Sequence, residues 1–200
     1  PRQRLWGYIF FVGIAVGLLA KGPIVLALTG LPIGLWVTLG KSRRESLRRL
    51  PWMTGLLLTL AIAAPWYIAA EIKTPGFLDY FLIGEHFQRF LVPGWTGDLY
   101  ASGHAKPRGT IWLFGILAFL PWSLFFIRPL FRIRTVAARF RADPSHWGSY
   151  LLVWTLSPLI FFTAAGNIIV PYVLPALPAA ALLLVQCWRD SEIPERLVSQ

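Results

Sequence analysis

The 200-residue sequence has few charged residues, since only 14% are Asp, Glu, Lys or Arg and nine of these are acidic. In a typical soluble domain about a quarter of the residues are charged, so this scarcity argues against a soluble fold. Cysteine is scarce too, because Cys187 stands alone and excludes an intrachain disulfide. In contrast, 56% of the residues are hydrophobic, ten are Trp, and the mean hydropathy is +0.59. These proportions predict an integral membrane protein.

The net charge of +10 would suit a nucleic-acid partner, yet the basic residues cluster in short gaps between apolar runs. Orientation in a bilayer explains that pattern better, and we expect no nucleic-acid partner. The first apolar run follows Arg2 and Arg4 and lacks a small-residue cleavage site, so we do not predict a signal peptide. Because the chain begins with Pro1, we interpret it as an internal or C-terminal part of a longer membrane domain.

Six apolar runs approach or reach the roughly 20 residues needed to cross the bilayer core. They cover 5–20, 24–39, 52–70, 111–127, 147–165 and 168–188. The pattern predicts an all-α, polytopic membrane protein with about six transmembrane helices in a single domain, 1–200. The last two runs are separated only by Gly166-Asn167, which predicts a tight helical hairpin.

Most Lys and Arg side chains fall on one side of the predicted spans. By the positive-inside rule, that side is cytoplasmic. It contains both ends of the chain and the loops 40–51 and 128–146, whereas the loop 71–110 lies outside.

The outer loop contains Glu85, His86 and Arg89 within five positions. If 77–91 forms an α-helix, these three side chains and Asp79 share one polar arc. The opposite side is then apolar, with Tyr80, Phe81, Ile83, Phe87 and Phe90. This pattern predicts an amphipathic helix in the membrane interface with a chemical face turned outward.

The predicted outer side collects carboxylates, imidazoles and cations that suit a reaction with a lipid phosphate as leaving group. Cations stabilise the departing charge, and a carboxylate or imidazole can accept a proton from an incoming hydroxyl. The set comprises Glu71, Asp79, Glu85, Asp98, His86, His104, Lys21, Lys73, Arg89, Lys106 and Arg108. The simpler interpretation of Asp98 and His104 is a solvated loop.

Lys21, Arg89 and His86 each allow two interpretations. Lys21 interrupts two spans at a depth where a charge is usually functional, although it could also snorkel at a helix end. Gly22 and Pro23 predict a sharp turn there. Arg89 could bind phosphate or simply pair with Glu85 at i,i+4. His86 could be a metal ligand or proton carrier, or an interfacial residue hydrogen-bonded to Glu85 or to a loop carbonyl.

Five motifs in order give the chain a resemblance to a known family. They are Leu19-Ala20-Lys21-Gly22-Pro23, Pro65-Trp66-Tyr67, Gly84-Glu85-His86-Phe87-Gln88-Arg89-Phe90, Phe119-Leu120-Pro121-Trp122-Ser123 and Pro171-Tyr172-Val173-Leu174-Pro175-Ala176-Leu177-Pro178. In this order the motifs resemble the central part of bacterial aminoarabinose-transferase-like glycosyltransferases. Those enzymes are grouped with the protein O-mannosyltransferases in the GT-C class. The resemblance implies that the chain is part of a GT-C fold.

The resemblance implies an inner-membrane enzyme that takes a sugar from a polyprenyl phosphate, with inversion at the anomeric carbon. The acceptor, on the outer face, would be a lipid A-like glycolipid, another glycan or a protein. The acidic residue that serves the acceptor would lie before Pro1. Lys21 and Arg89 would contact the donor phosphate, and His86 with Glu85 would bind a divalent metal of unspecified identity. Relatives often carry a Lys before the last Pro-Tyr motif, where this chain has Asn167-Ile168-Ile169-Val170, so the resemblance does not extend to the aminoarabinose sugar itself.

Two other classes of function remain as alternatives. A transporter or flippase subunit for a lipid-linked sugar would carry charges near the middle of its spans and a repeated half, and the sequence has neither. A non-catalytic membrane scaffold would not need Glu85, His86 and Arg89 grouped on one side.

Overall fold

The structure is a computed structural model that describes residues 2–97 and 104–192. The described residues are mostly helical, which confirms the all-α prediction. The chain forms two compact units, Pro1–Ala105 and Lys106–Gln200, and each is described by itself.

In the described residues of the first unit, four α-helices are followed by a π-helix and one further turn of α-helix. The α-helices are α1 (Arg2–Lys21), α2 (Ile24–Thr38), α3 (Lys41–Arg48) and α4 (Trp52–Lys73). The π-helix spans Asp79–Gln88 and continues directly into α5 (Arg89–Leu91).

Helices α1 and α4 pack closely because Gly55 presents no side chain to α1. A Cβ atom at Gly55 would collide with the ring of Phe11, which is buried. One turn further along α4, the hydroxyl of Thr59 donates to the Phe11 carbonyl at 3.0 Å. A glycine and a hydroxyl at this interface are the features that let two membrane helices approach.

The turn between α1 and α2 has the shape that Gly22 and Pro23 predict. Gly22 adopts a φ of +71°, in the left-handed region that glycine enters without steric cost. Pro23 is the N-cap of α2, which begins at Ile24. The sharp turn predicted at this point is confirmed.

The described part of the second unit, up to residue 192, contains five α-helices and two 3₁₀ segments. The α-helices are α6 (Thr110–Ala118), α7 (Ile127–Phe131), α8 (Ile133–Ala142), α9 (Trp147–Thr163) and α10 (Leu177–Glu192). The 3₁₀ segments are Trp122–Phe126 and Val170–Ala176. The buried core of this unit is formed by Val136, Leu151, Ala179, Leu183 and Cys187.

All six predicted apolar runs are helical, but they differ in length. Gln3–Lys21, Trp52–Lys73 and Val170–Ser191 are long and apolar enough to cross a membrane, whereas α2 and α9 are apolar but shorter.

The fourth run is not one straight helix, because Thr110–Ala118 and Trp122–Phe131 meet at a bend of 100°. Pro121 lies at the break, where it cannot donate the backbone hydrogen bond that would continue the helix.

The connection between the last two runs is longer than the predicted Gly166-Asn167 hairpin. Helix α9 ends at Thr163, and the next helical segment begins at Val170. That segment contains Pro171 and Pro175, which lack the N–H groups of a regular α-helix, and it takes the tighter 3₁₀ form before α10 begins.

The two predicted cytoplasmic loops contain short helices. Helix α3 lies within 40–51 and α8 within 128–146. The orientation of the spans and the assignment of 1–200 to a single domain stay predictions.

Candidate functional site

The segment that carries Glu85, His86 and Arg89 is a π-helix, and not the predicted α-helix. In a π-helix, residues five apart are neighbours. The hydroxyl of Tyr80 therefore reaches the carboxylate of Glu85 and donates to Oε1 at 2.6 Å. An α-helix would place these two side chains on different faces.

Phe87 and Ile83, on the predicted apolar side, are 61% and 45% exposed on the protein surface. An interfacial helix presents such side chains to lipid, so their exposure agrees with the predicted amphipathic segment. Glu85 and His86, predicted on the polar arc, are partly buried. The outward orientation of the polar arc stays a prediction.

Glu85 also forms an ion pair with Arg89. Arg89 Nη1 lies 2.7 Å from Oε2 of Glu85, and the two side chains are only 20% and 17% exposed. Both oxygens of Glu85 thus have a donor, one from Tyr80 and one from Arg89. The i,i+4 pair considered for Arg89 is formed, and the guanidinium is held in place at the end of the π-helix.

His86 contacts two carbonyl oxygens. Its Nδ1 lies 2.6 Å from the carbonyl oxygen of Phe81, and its Nε2 lies 3.2 Å from that of Lys21. The Phe81 ring meets the imidazole edge-on, with 4.8 Å between ring centres. The interpretation of His86 as hydrogen-bonded to a carbonyl describes this geometry, and the residue connects the π-helix to the end of α1.

Gly22 is packed directly against this imidazole. A Cβ atom at Gly22 would lie 2.7 Å from Nε2 of His86 and 2.7 Å from the ring of Phe81. The neighbouring Lys21 is exposed. In the described residues, no carboxylate lies within ion-pair distance of its ammonium group. The structure therefore brings His86 to the backbone of Lys21, and Arg89 to Glu85.

Tyr67 is a member of this region that the sequence analysis gave no role. Its hydroxyl donates to the carbonyl of Leu18 at 2.7 Å, and its ring lies 6.0 Å from that of Phe81. The only sequence signal was its place in Pro65-Trp66-Tyr67, since the two bonded residues are 49 positions apart. Tyr80 was likewise missed, because its contact with Glu85 depends on the π-helix.

The remaining predicted outer groups have different surroundings. Glu71 accepts hydrogen bonds from the backbone of Gly76 at 2.9 Å and of Leu78 at 2.8 Å, so it orders the entry to the π-helix. Asp79 and His104 are exposed. Asp98 lies outside the described residues. Lys106 and Arg108 belong to the second unit.

A cleft of about 840 Å³ opens between the end of α4 and the π-helix. Aromatic side chains dominate its walls, with Trp66, Phe77, Tyr80 and Phe81. Glu85 and the exposed Lys73 supply the charged groups that line it. Glu85 thus lines the cleft and also accepts a hydrogen bond from Arg89.

In the part of the chain that the structure describes, the side chains that could bind a divalent metal do not come together. No group of three His, Cys, Asp or Glu side chains comes together among those residues. The oxygens of Glu85 are bonded to Tyr80 and Arg89, and the ring nitrogens of His86 face carbonyl oxygens. Since a metal site needs several converging ligands, the metal ligation predicted for Glu85 and His86 stays a prediction, and no chemical step is assigned to a metal.

Comparison with known proteins adds family information to this geometry. Residues 1–81 match the family "Dolichyl-phosphate-mannose-protein mannosyltransferase". Two relatives are named undecaprenyl phosphate-alpha-4-amino-4-deoxy-L-arabinose arabinosyl transferase. The one from Aeromonas salmonicida is 30% identical over 92% of this chain and 31% of its own length. The one from Pseudomonas fluorescens is 31% identical over 95% of this chain and 32% of its own length.

A solved structure shares the fold. ArnT from Cupriavidus metallidurans bound to undecaprenyl phosphate superimposes with a TM-score of 0.74 at 24% identity, over 94% of this chain and 33% of that protein. The chain thus spans about a third of the length of these relatives. Residues 1–81 thus resemble the dolichyl-phosphate-mannose-protein mannosyltransferases, and nearly the whole chain is similar to part of the undecaprenyl-phosphate aminoarabinose transferases.

Proposed function

We propose that the protein transfers a sugar from a polyprenyl-phosphate donor to an acceptor, and that the region around Lys21 forms part of the donor site. The names of the relatives support this donor class, because they specify undecaprenyl phosphate carrying a sugar. Membrane lipid surrounds the helices. The reaction takes place on the outer face of the inner membrane, with both ends of this chain on the cytoplasmic side.

The observation that carries the proposal is the exposed side chain of Lys21, which directly follows the apolar run 5–20 of α1. Its peptide is held against the imidazole of His86, while its side chain is open to a ligand. A cation at the end of a membrane helix lies at the depth of lipid headgroups, where a lipid phosphate is also found. Lys21 is therefore the main contact of the donor phosphate.

Arg89 serves as a second cation of the same site. Its guanidinium is a planar fork of five N–H groups that suits a phosphate, and its side chain is 20% exposed. The carboxylate of Glu85 fixes the direction of the guanidinium, because a hydrogen-bonded neighbour limits the rotamers of a ligand-binding side chain. Glu85 thus acts on the donor through Arg89.

The proposed reaction is a single displacement at the anomeric carbon. The acceptor oxygen forms a bond to that carbon from the side opposite the phosphate, and the bond from the carbon to the phosphate oxygen breaks. The electron pair stays on the phosphate, and the hydroxyl proton passes to a carboxylate that acts as general base. Cations that meet the phosphate more strongly as its charge develops lower the barrier. The acceptor is a glycolipid, another glycan or a protein.

The test is sugar transfer from a radiolabelled polyprenyl-phosphate sugar in membranes that contain the complete gene product. We expect Lys21→Ala to lower transfer by about 10²-fold, the loss typical of one group that stabilises transition-state charge. Arg89→Ala and His86→Ala should also lower transfer. Lys106→Ala is the matched control, since it removes an exposed lysine of the predicted outer loop. Unchanged transfer in all three site variants would refute the site assignment.

A further inference from the structure

We propose that Tyr67 is a positioning residue that fixes the end of α1 and thereby the point from which the Lys21 side chain extends. This inference rests on the proposed function, because it gives Lys21 the role of binding the donor phosphate. The hydroxyl of Tyr67 contacts the backbone of α1, and Tyr67 acts through that contact.

The carbonyl of Leu18 receives two hydrogen bonds at the point where α1 ends. The N–H of Gly22 donates to it at 2.8 Å, and the hydroxyl of Tyr67 donates at 2.7 Å. A carbonyl oxygen has two lone pairs and can accept both bonds together. Leu18 lies in the last turn of α1, so the donor from α4 adds a second bond to that of Gly22 and stabilises this final turn.

The Tyr67 ring is itself held by aromatic neighbours. It packs edge-on against Trp66, with 5.1 Å between ring centres, and lies 6.0 Å from Phe81. Phe81 stacks on Phe77 at 5.3 Å. Since the ring is packed on these sides, its hydroxyl has a defined direction, and the bond to Leu18 is not that of a freely rotating surface tyrosine.

The same turn is supported from the other side by His86. The Lys21 carbonyl faces Nε2 of His86 at 3.2 Å, and a Cβ atom at Gly22 would lie 2.7 Å from the same nitrogen. The end of α1 is therefore held by the bond from α4 to Leu18 and by contact with the imidazole from the π-helix. A long lysine side chain loses less conformational entropy on binding an anion when its backbone is already fixed.

The chain offers a matched control at the opposite end of the same two helices. Tyr8 of α1 and Thr54 of α4 share a hydrogen bond of 3.0 Å between their hydroxyl oxygens. Tyr8→Phe and Tyr67→Phe thus each remove one tyrosine hydroxyl from the α1–α4 interface and keep the ring. Only Tyr67 lies near Lys21.

The experiment measures kcat and KM for the polyprenyl-phosphate sugar in the complete gene product, for Tyr67→Phe, Tyr8→Phe, Lys21→Ala and the double variant Tyr67→Phe/Lys21→Ala. We expect Tyr67→Phe to raise KM roughly threefold to tenfold, the factor that one net hydrogen bond represents, with a smaller change in kcat. Tyr8→Phe should leave both constants unchanged. In the Lys21→Ala background, Tyr67→Phe should have no further effect on KM, because the group that it positions is absent.

The outcomes separate the two proposals. If Lys21→Ala keeps wild-type constants, Lys21 does not bind the donor, and the proposed function of this site fails. If Lys21→Ala is impaired but Tyr67→Phe leaves KM unchanged, the positioning role is refuted while the donor site stands. The same conclusion follows if Tyr67→Phe raises KM equally with and without Lys21. A melting temperature that falls equally in Tyr67→Phe and Tyr8→Phe, with KM raised only in Tyr67→Phe, distinguishes positioning from general stability.

Discussion

Gly22 and His86 occupy complementary space, because the imidazole lies where a side chain at position 22 would have to be. A Cβ atom on Gly22 would come within 2.7 Å of Nε2 of His86. The turn between α1 and α2 and the π-helix are thus fitted to each other. The mutual position of Lys21 and the π-helix therefore depends on a glycine.

We predict that Gly22→Ala destabilises the protein and lowers sugar transfer. An alanine at a φ of +71° costs about 1–2 kcal/mol, and its methyl group would also displace His86. Gly13→Ala is the control, since a Cβ atom there meets nothing within 4 Å. Replacing that helical glycine should be neutral or stabilise by up to about 1 kcal/mol. Thermal unfolding in detergent compares the two, and equal melting temperatures would contradict the packing described.

Among the described residues, two i,i+4 Glu–Arg ion pairs differ in burial, and we predict different contributions to stability for them. Glu85–Arg89 is 2.7 Å long and mostly buried, whereas Glu45–Arg49 is 3.7 Å long with both side chains more than half exposed. Glu85→Ala leaves Tyr80 and Arg89 without this acceptor and should cost about 1–3 kcal/mol. Glu45→Ala should cost under about 0.5 kcal/mol. Chemical denaturation of the two variants measures the difference, and similar losses would show that the Glu85 pair is not structural.

Because α1 packs closely on α4 at Gly55, we predict that a larger residue at this position destabilises the protein. Gly55→Ala forces the buried ring of Phe11 to move, and overpacking of this kind costs about 1–3 kcal/mol. Gly34→Ala in α2 is the control, because a Cβ atom there meets nothing within 4 Å. The measurement is the melting temperature of each purified variant. Tolerance of alanine at both positions would mean that the helices do not pack through Gly55.

Asp143 predicts a pH dependence at the start of α9. Hydrogen bonds, first that from the Ser145 hydroxyl, hold the pKa of this carboxyl below its ordinary value, and the Trp147 N–H also donates to it at 3.1 Å. A carboxyl with a lowered pKa in the folded state stabilises the protein above its unfolded pKa of about 3.9. That stability is lost as the pH falls through the folded pKa.

Melting temperatures measured from about pH 6 down to about pH 3 test the Asp143 prediction. The wild type should lose more stability on acidification than Asp143→Ala, which has no carboxyl to protonate at this position. Parallel pH profiles for the two proteins would contradict it.

Much of this fold could be predicted because its helices and the first turn are encoded in short stretches of sequence. The apolar runs predicted the helices, and Gly22 with Pro23 predicted the turn between α1 and α2. The π-helix was not predictable from periodicity, because it depends on packing. Gly84 is buried, and a Cβ atom there would lie 3.2 Å from the ring of Trp95, which is eleven positions further along the chain.

The candidate site was predicted only in part for the same reason. Glu85, His86 and Arg89 were recognised as a group from their spacing, and the pairing of Glu85 with Arg89 follows from it. The contact between His86 and Lys21 joins residues 65 positions apart, and that between Tyr67 and Leu18 joins residues 49 apart. Such contacts arise from the packing of helices and leave no periodic signal in the sequence.

The central claim is that Lys21 binds the phosphate of the lipid donor, and direct binding tests it without requiring an acceptor. The measurement is the Kd of undecaprenyl phosphate for the complete gene product, by isothermal titration in detergent, for the wild type, Lys21→Ala and the control Lys106→Ala. Loss of a charge-assisted bond worth about 1.5–3 kcal/mol predicts a Kd raised roughly tenfold or more in Lys21→Ala and unchanged in Lys106→Ala. Equal affinity of the wild type and Lys21→Ala would contradict the claim.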